Sequence, residues 1–258
     1  MKSPRSGAIH RHLLVRIRQL GTGGVLRHDF FRSLKDFMLH GGKRKNEIHP
    51  FDVKYGTDTS GIVQPWDLGL PADSVLHAVQ YGTAMVDVFT DLLRNLPIRY
   101  EDFVFIDLGS GKGRALLLAS FFPFKKIIGV ELSRSMHEIA RGNIQLFADQ
   151  GQQCFDIESI CDDAGTYALP NENIVFYLFN PFDEQIMRAV LSNIERSLQQ
   201  LPRTIYIAYL KPAHRAVFDQ SAFLHVRKET ERYVLYESMG LSNASGAIAA
   251  APRSQSVV

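Results

Sequence analysis

The segment Phe105-Ile-Asp-Leu-Gly-Ser-Gly-Lys-Gly-Arg114 sets an apolar run directly before glycines 109, 111 and 113 and ahead of the helix-prone ALLLASFF. Glycines at the carboxyl end of a strand permit positive φ and let backbone N–H groups approach a ligand closely, where open α/β sheets bind their ligands. The spacing narrows the chemistry. A dinucleotide loop reads G-x-G-x-x-G, but the sixth position counted from Gly109 is Arg114; a phosphate loop reads G-K-[ST], but Lys112 is followed by Gly113. Two acids flank the glycines: Asp107 just before them, and Glu131 at the end of IIGVEL, about 20 residues further on, where a carboxylate accepts both hydroxyls of a ribose. Such a pair disfavours a pyrophosphate and suits a ligand bearing an amine and a positive sulfonium.

The surrounding pattern supplies elements to hold these residues. Phe103 to Ile106 reads as a strand, Lys126 to Val130 as a second, and Ser135 to Phe147 as a helix after it. Further strands are expected at Phe155 to Ile160, Asn173 to Phe179 and Thr204 to Leu210, with a helix from Phe182 to Leu201 before the last. Strands alternating with helices imply a mostly parallel sheet covered on both faces. Phe223 to Lys228 and Tyr233 to Glu237 read as a closing antiparallel hairpin. Upstream, Ser74 to Leu96 has near-helical apolar spacing that stops before Pro97. The stretch His49 to Pro71 is rich in Pro, Gly, Asp and Thr and reads as a long ordered loop without helix or strand.

DLGSGKGR followed by GVEL resembles motif I and the next acidic motif of class I S-adenosylmethionine-dependent methyltransferases, over about Phe103 to Glu237. The resemblance implies an α/β, Rossmann-like, doubly wound, seven-stranded and mostly parallel sheet ending in an antiparallel hairpin. It implies S-adenosyl-L-methionine as the cofactor. Asp107, Gly109, Ser110, Gly111 and Gly113 would hold its methionine portion, and Glu131, beside Leu132, its ribose. The family's acid at the adenine amino group falls on Asp162 or Asp163, with Asp163-Ala164 closer to the common Asp-Ala pair. Either acid could instead cap the end of a strand.

Phe179-Asn180-Pro181-Phe182 stands where that family faces its acceptor and resembles the N/D-P-P-Y/F motif of amino-group methyltransferases, one proline short. An Asn carbonyl beside an aromatic face can orient a nitrogen and shield a cation. The same Asn-Pro pair could simply begin the next helix as cap and first-turn proline. The upstream loop with Tyr55, Asp58 and Thr59 is distantly similar to the cofactor-covering loop of Dot1-like lysine methyltransferases and to uncharacterised bacterial methyltransferases. Tyr55, Asp58 and Asn180 are therefore the candidate catalytic residues, and Thr59 and Asn180 further candidate cofactor contacts. Methyl transfer needs no metal, and the nine histidines are scattered, His137 being expected at a helix surface.

With 258 residues, 45% hydrophobic and 22% charged, the chain can bury a large core. Its apolar runs fall short of the roughly 18–20 residues that cross a bilayer, and its basic start lacks a secretory pattern, so a cytoplasmic protein is expected. Cys154 and Cys161 are expected as buried free thiols. Residues 1–48 carry eleven Lys and Arg against three Asp and Glu, a formal +8, which leaves about −6 for the rest of a chain whose total is +2. This basic extension, with helices expected around Leu13 to Leu20 and Asp29 to Leu39, could dock on its own domain or contact a polyanion. The organisation expected is a helical extension over 1–48, a lid loop and leading helix over 49–100, a methyltransferase domain over 101–239 and a disordered tail over 240–258. Methyl transfer to an amine, such as a protein lysine, leads this reading. The rivals are a small-molecule O- or N-methyltransferase, a nicotinamide oxidoreductase and a non-catalytic binding module recruited by its basic segment.

Overall fold

The structure, a computed structural model, describes residues 48–61, 63, 67–70, 74, 85–147 and 151–239. Residues 1–47 with the two helices expected there, residues 75–84 of the helix expected over Ser74 to Leu96, and the tail from Gly240 onward lie outside the described residues.

Short helix α1 (Pro50–Tyr55) and helix α2 (Val86–Arg94) precede strand β1 (Phe103–Leu108), and helix α3 (Arg114–Ala119) follows it. Strand β2 (Lys126–Val130), helix α4 (Arg134–Leu146), and strands β3 (Ile157–Ile160) and β4 (Asn173–Phe179) continue the alternation. Helix α5 (Glu184–Gln200), strand β5 (Ile205–Leu210), helix α6 (Arg215–Asp219) and strands β6 (Leu224–Glu229) and β7 (Tyr233–Ser238) complete it. The seven strands run in the order β3-β2-β1-β4-β5-β7-β6. All pairings are parallel except those of β7 with β5 and β6.

β1 and β5 are buried along their whole length, as helices on both faces require. On one face Phe105, Val175, Tyr177 and Ala208 pack with Phe51 of α1, Phe89, Leu92 and Leu93 of α2, and the apolar residues of α3. On the other, Ile106, Ile128, Phe176 and Ile207 meet Met187, Val190, Ile194 and Leu198 of α5 and Val217 and Phe218 of α6. The spacing of the four α5 residues keeps them on one stripe. After the edge strand β3 the chain crosses back to place β4 beside β1, so the strand order reverses there. Its carboxyl-end crevice is the standard ligand position of an open α/β sheet.

Several expectations need correction. The upstream loop contains a helix: Pro50 takes the first helical position, His49 Nδ1 accepts from the Phe51 N–H at 3.1 Å, and Gly56 closes the helix at φ 69°. Histidine is an uncommon cap, which is why composition alone read loop. β3 starts at Ile157 because Phe155 is exposed. His137 is buried, its Nδ1 2.9 Å from Ser159 Oγ, and Cys161 is exposed whereas Cys154 is buried.

Candidate cofactor and acceptor site

β1 runs into the glycine loop, whose Gly109 and Ser110 amides both donate to the Val130 carbonyl, at 2.8 and 3.2 Å. Gly109, Gly111 and Gly113 adopt φ of 79°, 54° and 85°, a region that other residues enter at a cost of about 1–2 kcal/mol each. The loop is tied to the second acid. Gly111 N–H donates to Glu131 Oε2 at 2.8 Å and Ser133 N–H to Oε1 at 2.7 Å. Each oxygen retains acceptor capacity for a further donor, such as a hydroxyl of a diol. Burial pushes the Glu131 carboxyl up, and the hydrogen bonds from Ser133, Gly111 and Leu132 partly oppose it.

Asp107 lies in a row across the sheet, registered with Gly129 on β2 and Tyr177 on β4. Burial first, and then repulsion from Glu131, push its carboxyl well above the usual range. A nearby cation would relieve both effects. The buried Ser110 Oγ and Tyr177 hydroxyl have no partner among the described residues.

On the acceptor side Asn180 holds φ 46° immediately after β4. Its Oδ1 accepts from the Tyr209 hydroxyl at 3.3 Å, which in turn accepts from the His214 N–H at 3.2 Å. A Cβ on Gly109 would stand 2.7 Å from Pro181 Cβ and 3.3 Å from the Phe182 ring, so the first loop glycine is the surface on which the Asn-Pro-Phe turn rests. This pair does not cap the next helix. That role belongs to Asp183, whose Oδ1 accepts from Gln185 and Ile186.

The upstream segment is bolted to the loop by residues that sequence reasoning missed. The buried Asp52 carboxylate accepts from the Thr57 and Thr59 hydroxyls, at 2.7 and 2.6 Å, from Ser60 Oγ, and from the Thr59 N–H. Arg114, at the start of α3, brings Nη2 to 3.4 Å from Asp52 Oδ2 and donates from Nε to Thr59 Oγ1 at 2.7 Å. Burial alone would raise the Asp52 carboxyl, but the hydrogen bonds from Ser60, Thr59 and Thr57 hold it below its ordinary value. Lys112 donates to Asp58 Oδ1 at 2.6 Å and to the Ser60 carbonyl, and the Asn143 side chain joins Asp58 to the Lys112 carbonyl. The charges of G-K-G-R are thus engaged by this chain's own residues.

The surroundings of Thr59, Tyr55 and Asp58 are then as follows. Thr59 is 0% exposed, its hydroxyl held between the Asp52 carboxylate and the Arg114 guanidinium. Tyr55 packs against Phe51 and Phe147, with its hydroxyl accepting from Lys54. Asp58 serves as the anchor of Lys112.

Beyond β3, Asp163 Oδ1 accepts from the Gly165 N–H and its carbonyl from the Thr166 and Tyr167 amides, which makes it the head of a turn. Asp162 is exposed and is tied by its amide to the Glu131 carbonyl at 3.2 Å. Ala164 is buried behind them, and Leu132 is partly exposed beside Glu131. The β2 and β3 ends therefore bring Glu131, Leu132, Asp162 and Asp163 to one rim.

Residues 70–159, from the end of the upstream segment through β3, match the family described as histone methylation protein DOT1. That stretch is Dot1-like. The likeness, over about a third of the chain, is to an S-adenosylmethionine-dependent methyltransferase of distantly Dot1-like kind. No curated protein matches the sequence. Among solved structures, ribosomal protein L11 methylase from Lactobacillus delbrueckii subsp. bulgaricus is 13% identical, covers 62% of this chain and 80% of its own, and has a TM-score of 0.44. TrmN from Thermus thermophilus is 18% identical, with 61% and 50% covered and a TM-score of 0.46. An RNA methyltransferase from Salinibacter ruber in complex with S-adenosyl-L-homocysteine is 17% identical, with 61% and 92% covered and a TM-score of 0.39.

The residues around the glycine loop fit S-adenosylmethionine. A loop of left-handed glycines permits close backbone approach, two buried carboxylates suit a ligand with cationic groups, and orphaned hydroxyls of Ser110 and Tyr177 lie in the row of one of them. Among the described residues no three His, Cys, Asp or Glu side chains gather to hold a metal, and no helix is long and apolar enough to cross a membrane.

Proposed function

We propose that this chain transfers a methyl group to an amine, with a protein lysine as acceptor, in the cytoplasm. The observation that carries the reading is the Asn180-Pro181-Phe182 turn resting on Gly109, which sets an amide oxygen and an aromatic ring beside the cofactor loop. The description of the matching family, histone methylation, agrees with a protein acceptor.

In this reading Asp107 meets the cofactor's ammonium, the Gly109 to Gly113 loop cradles its methionine portion, and Glu131 accepts from the ribose diol. Leu132, Asp162 and Asp163 edge the adenine, with Ala164 as backing. S-adenosylmethionine supplies a sulfonium-bound methyl group that needs no further activation. An acceptor nitrogen would have to arrive as the neutral amine to take up that methyl group, with S-adenosylhomocysteine leaving as the neutral thioether and the surplus proton passing from nitrogen to solvent. Asn180 Oδ1, with a second lone pair available, orients an N–H of the acceptor, and the Phe182 face shields the cation as it forms. Positioning and exclusion of water are the protein's main contributions. The working division is a core over 101–239 covered by 49–100, with residues 1–48 as a basic arm for an acidic or otherwise polyanionic partner and 240–258 as a tail.

The test is transfer of labelled methyl from S-adenosylmethionine into an extract, followed by amino-acid analysis of the labelled fraction. Methyl-lysine in protein, lost in Asn180→Ala, supports the proposal. Label confined to small molecules would replace the acceptor, and cofactor binding without any transfer would favour the non-catalytic binding module.

A further inference from the structure

The row Gly129, Asp107, Tyr177 crosses β2, β1 and β4 on a single sheet face. Gly129 has no side chain, and a Cβ there would stand 2.7 Å from Ser110 Oγ, so the Ser110 hydroxyl drops into the row on one side of Asp107. Tyr177 closes the other side. Its ring is 1% exposed and packed edge-on against Phe89 at 4.9 Å. Both hydroxyls are buried without a partner among the described residues. An ordinary core position would be filled by phenylalanine here, because an unpaired buried hydroxyl costs stability and returns nothing to packing.

We propose that Tyr177 is a positioning residue for cofactor binding, its hydroxyl and that of Ser110 flanking Asp107 and fixing the carboxylate against the cofactor's methionine ammonium. The inference rests on the cofactor reading above and extends it to a residue outside the glycine loop. Burial and the Asp107 carboxylate both push the phenol well above its usual range, so it remains a donor. Asp107 needs such donors once it is charged and apart from water. The two unpartnered hydroxyls, from β4 and from the loop, flank Asp107 without bonding to it here and would become its donors once the cofactor's ammonium charges it, while Phe89 of α2 and Leu116 of α3 close the apolar sides.

The experiment compares the native chain with Tyr177→Phe and Ser110→Ala, using calorimetric titration with S-adenosylhomocysteine and with methylthioadenosine, which keeps the nucleoside and lacks the amino-acid end. Tyr177→Phe removes the hydroxyl and leaves the ring packing, so Tm should hold or rise. The expected result is roughly a 10- to 100-fold loss of S-adenosylhomocysteine affinity with methylthioadenosine affinity unchanged, the loss typical of a hydrogen bond to a charged group. Ser110→Ala should show the same selectivity to a smaller degree. A purely structural tyrosine would weaken both ligands together or neither, and either outcome overturns the inference. A native chain that bound neither ligand would overturn the cofactor reading along with it. Tight native binding that Tyr177→Phe retains overturns the inference alone.

Discussion

Asp52 and Arg114, 62 residues apart in sequence, meet at 3.4 Å with each side chain only 2% exposed. The arginine opens the helix after the glycine loop, and the aspartate sits in the first turn of the upstream helix, so cofactor loop and covering segment are held as one piece. The hydroxyls of Thr57, Thr59 and Ser60 complete the shell that makes this burial tolerable.

Breaking that pair by Arg114→Ala leaves a buried carboxylate without its cation. The expected loss of stability is about 3–5 kcal/mol, read by denaturant unfolding, with smaller damage in Arg114→Lys. The acid limb carries the complementary signature. The Asp52 carboxyl is held below its ordinary value, so its contribution is present above the unfolded value near 3.9 and disappears as pH falls through the lowered one. Asp52→Asn should be less stable than the native chain at neutral pH, and the gap should close in acid.

Asp107 predicts the reverse sign. Its folded-state value is raised by burial and by Glu131, so the stabilisation it gives is complete below the ordinary carboxylate range and is lost as pH climbs through the raised value. Asp107→Asn should therefore raise Tm at neutral pH, gain little near pH 4, and weaken S-adenosylmethionine binding. A variant that lost Tm at neutral pH while binding cofactor normally would contradict this placement.

Gly109→Ala should damage both halves of the site together. Its φ of 79° disfavours a side chain, and the new methyl would press within 2.7 Å of Pro181 Cβ. Strain and overpacking together amount to about 2–4 kcal/mol. Lower Tm should accompany loss of cofactor binding, and native-like values for both would refute the contact.

Asp58→Asn separates an anchoring role for Asp58, through its ion pair with Lys112, from a catalytic one. The Asp58 side chain is 64% exposed, so its ion pair with Lys112 is open to solvent and is worth under about 1 kcal/mol. Turnover should fall only a few-fold and stability should become less sensitive to salt. Complete loss of turnover with cofactor affinity intact would restore Asp58 as a catalytic group.

The parallel core was readable in the sequence because buried strands appear as continuous apolar runs. Lys126 to Val130 and Asn173 to Phe179 match observed β2 and β4, and the terminal hairpin matches within a residue. The glycine positions and Glu131 were readable because backbone conformation and strand-end placement leave a local trace. Asp52 left none, since its partners Thr57, Thr59 and Ser60 look like ordinary loop residues and Arg114 lies far along the chain. Arg114 stood out only as the residue that breaks a dinucleotide spacing. Tyr177 was hidden within an apolar strand, where its neighbours Phe176 and Leu178 gave no reason to single out one hydroxyl. A signal for the hub did exist: one aspartate followed at five, seven and eight residues by hydroxyl side chains, a group able to satisfy a buried carboxylate.

Calorimetric titration of the native chain and of Glu131→Ala decides whether the glycine loop and Glu131 form an S-adenosylmethionine site. The native chain should bind S-adenosylmethionine and S-adenosylhomocysteine, and Glu131→Ala, still folded by circular dichroism, should bind each at least about tenfold more weakly. A folded native chain that binds neither ligand, or a Glu131→Ala variant that binds as the native chain does, would contradict it.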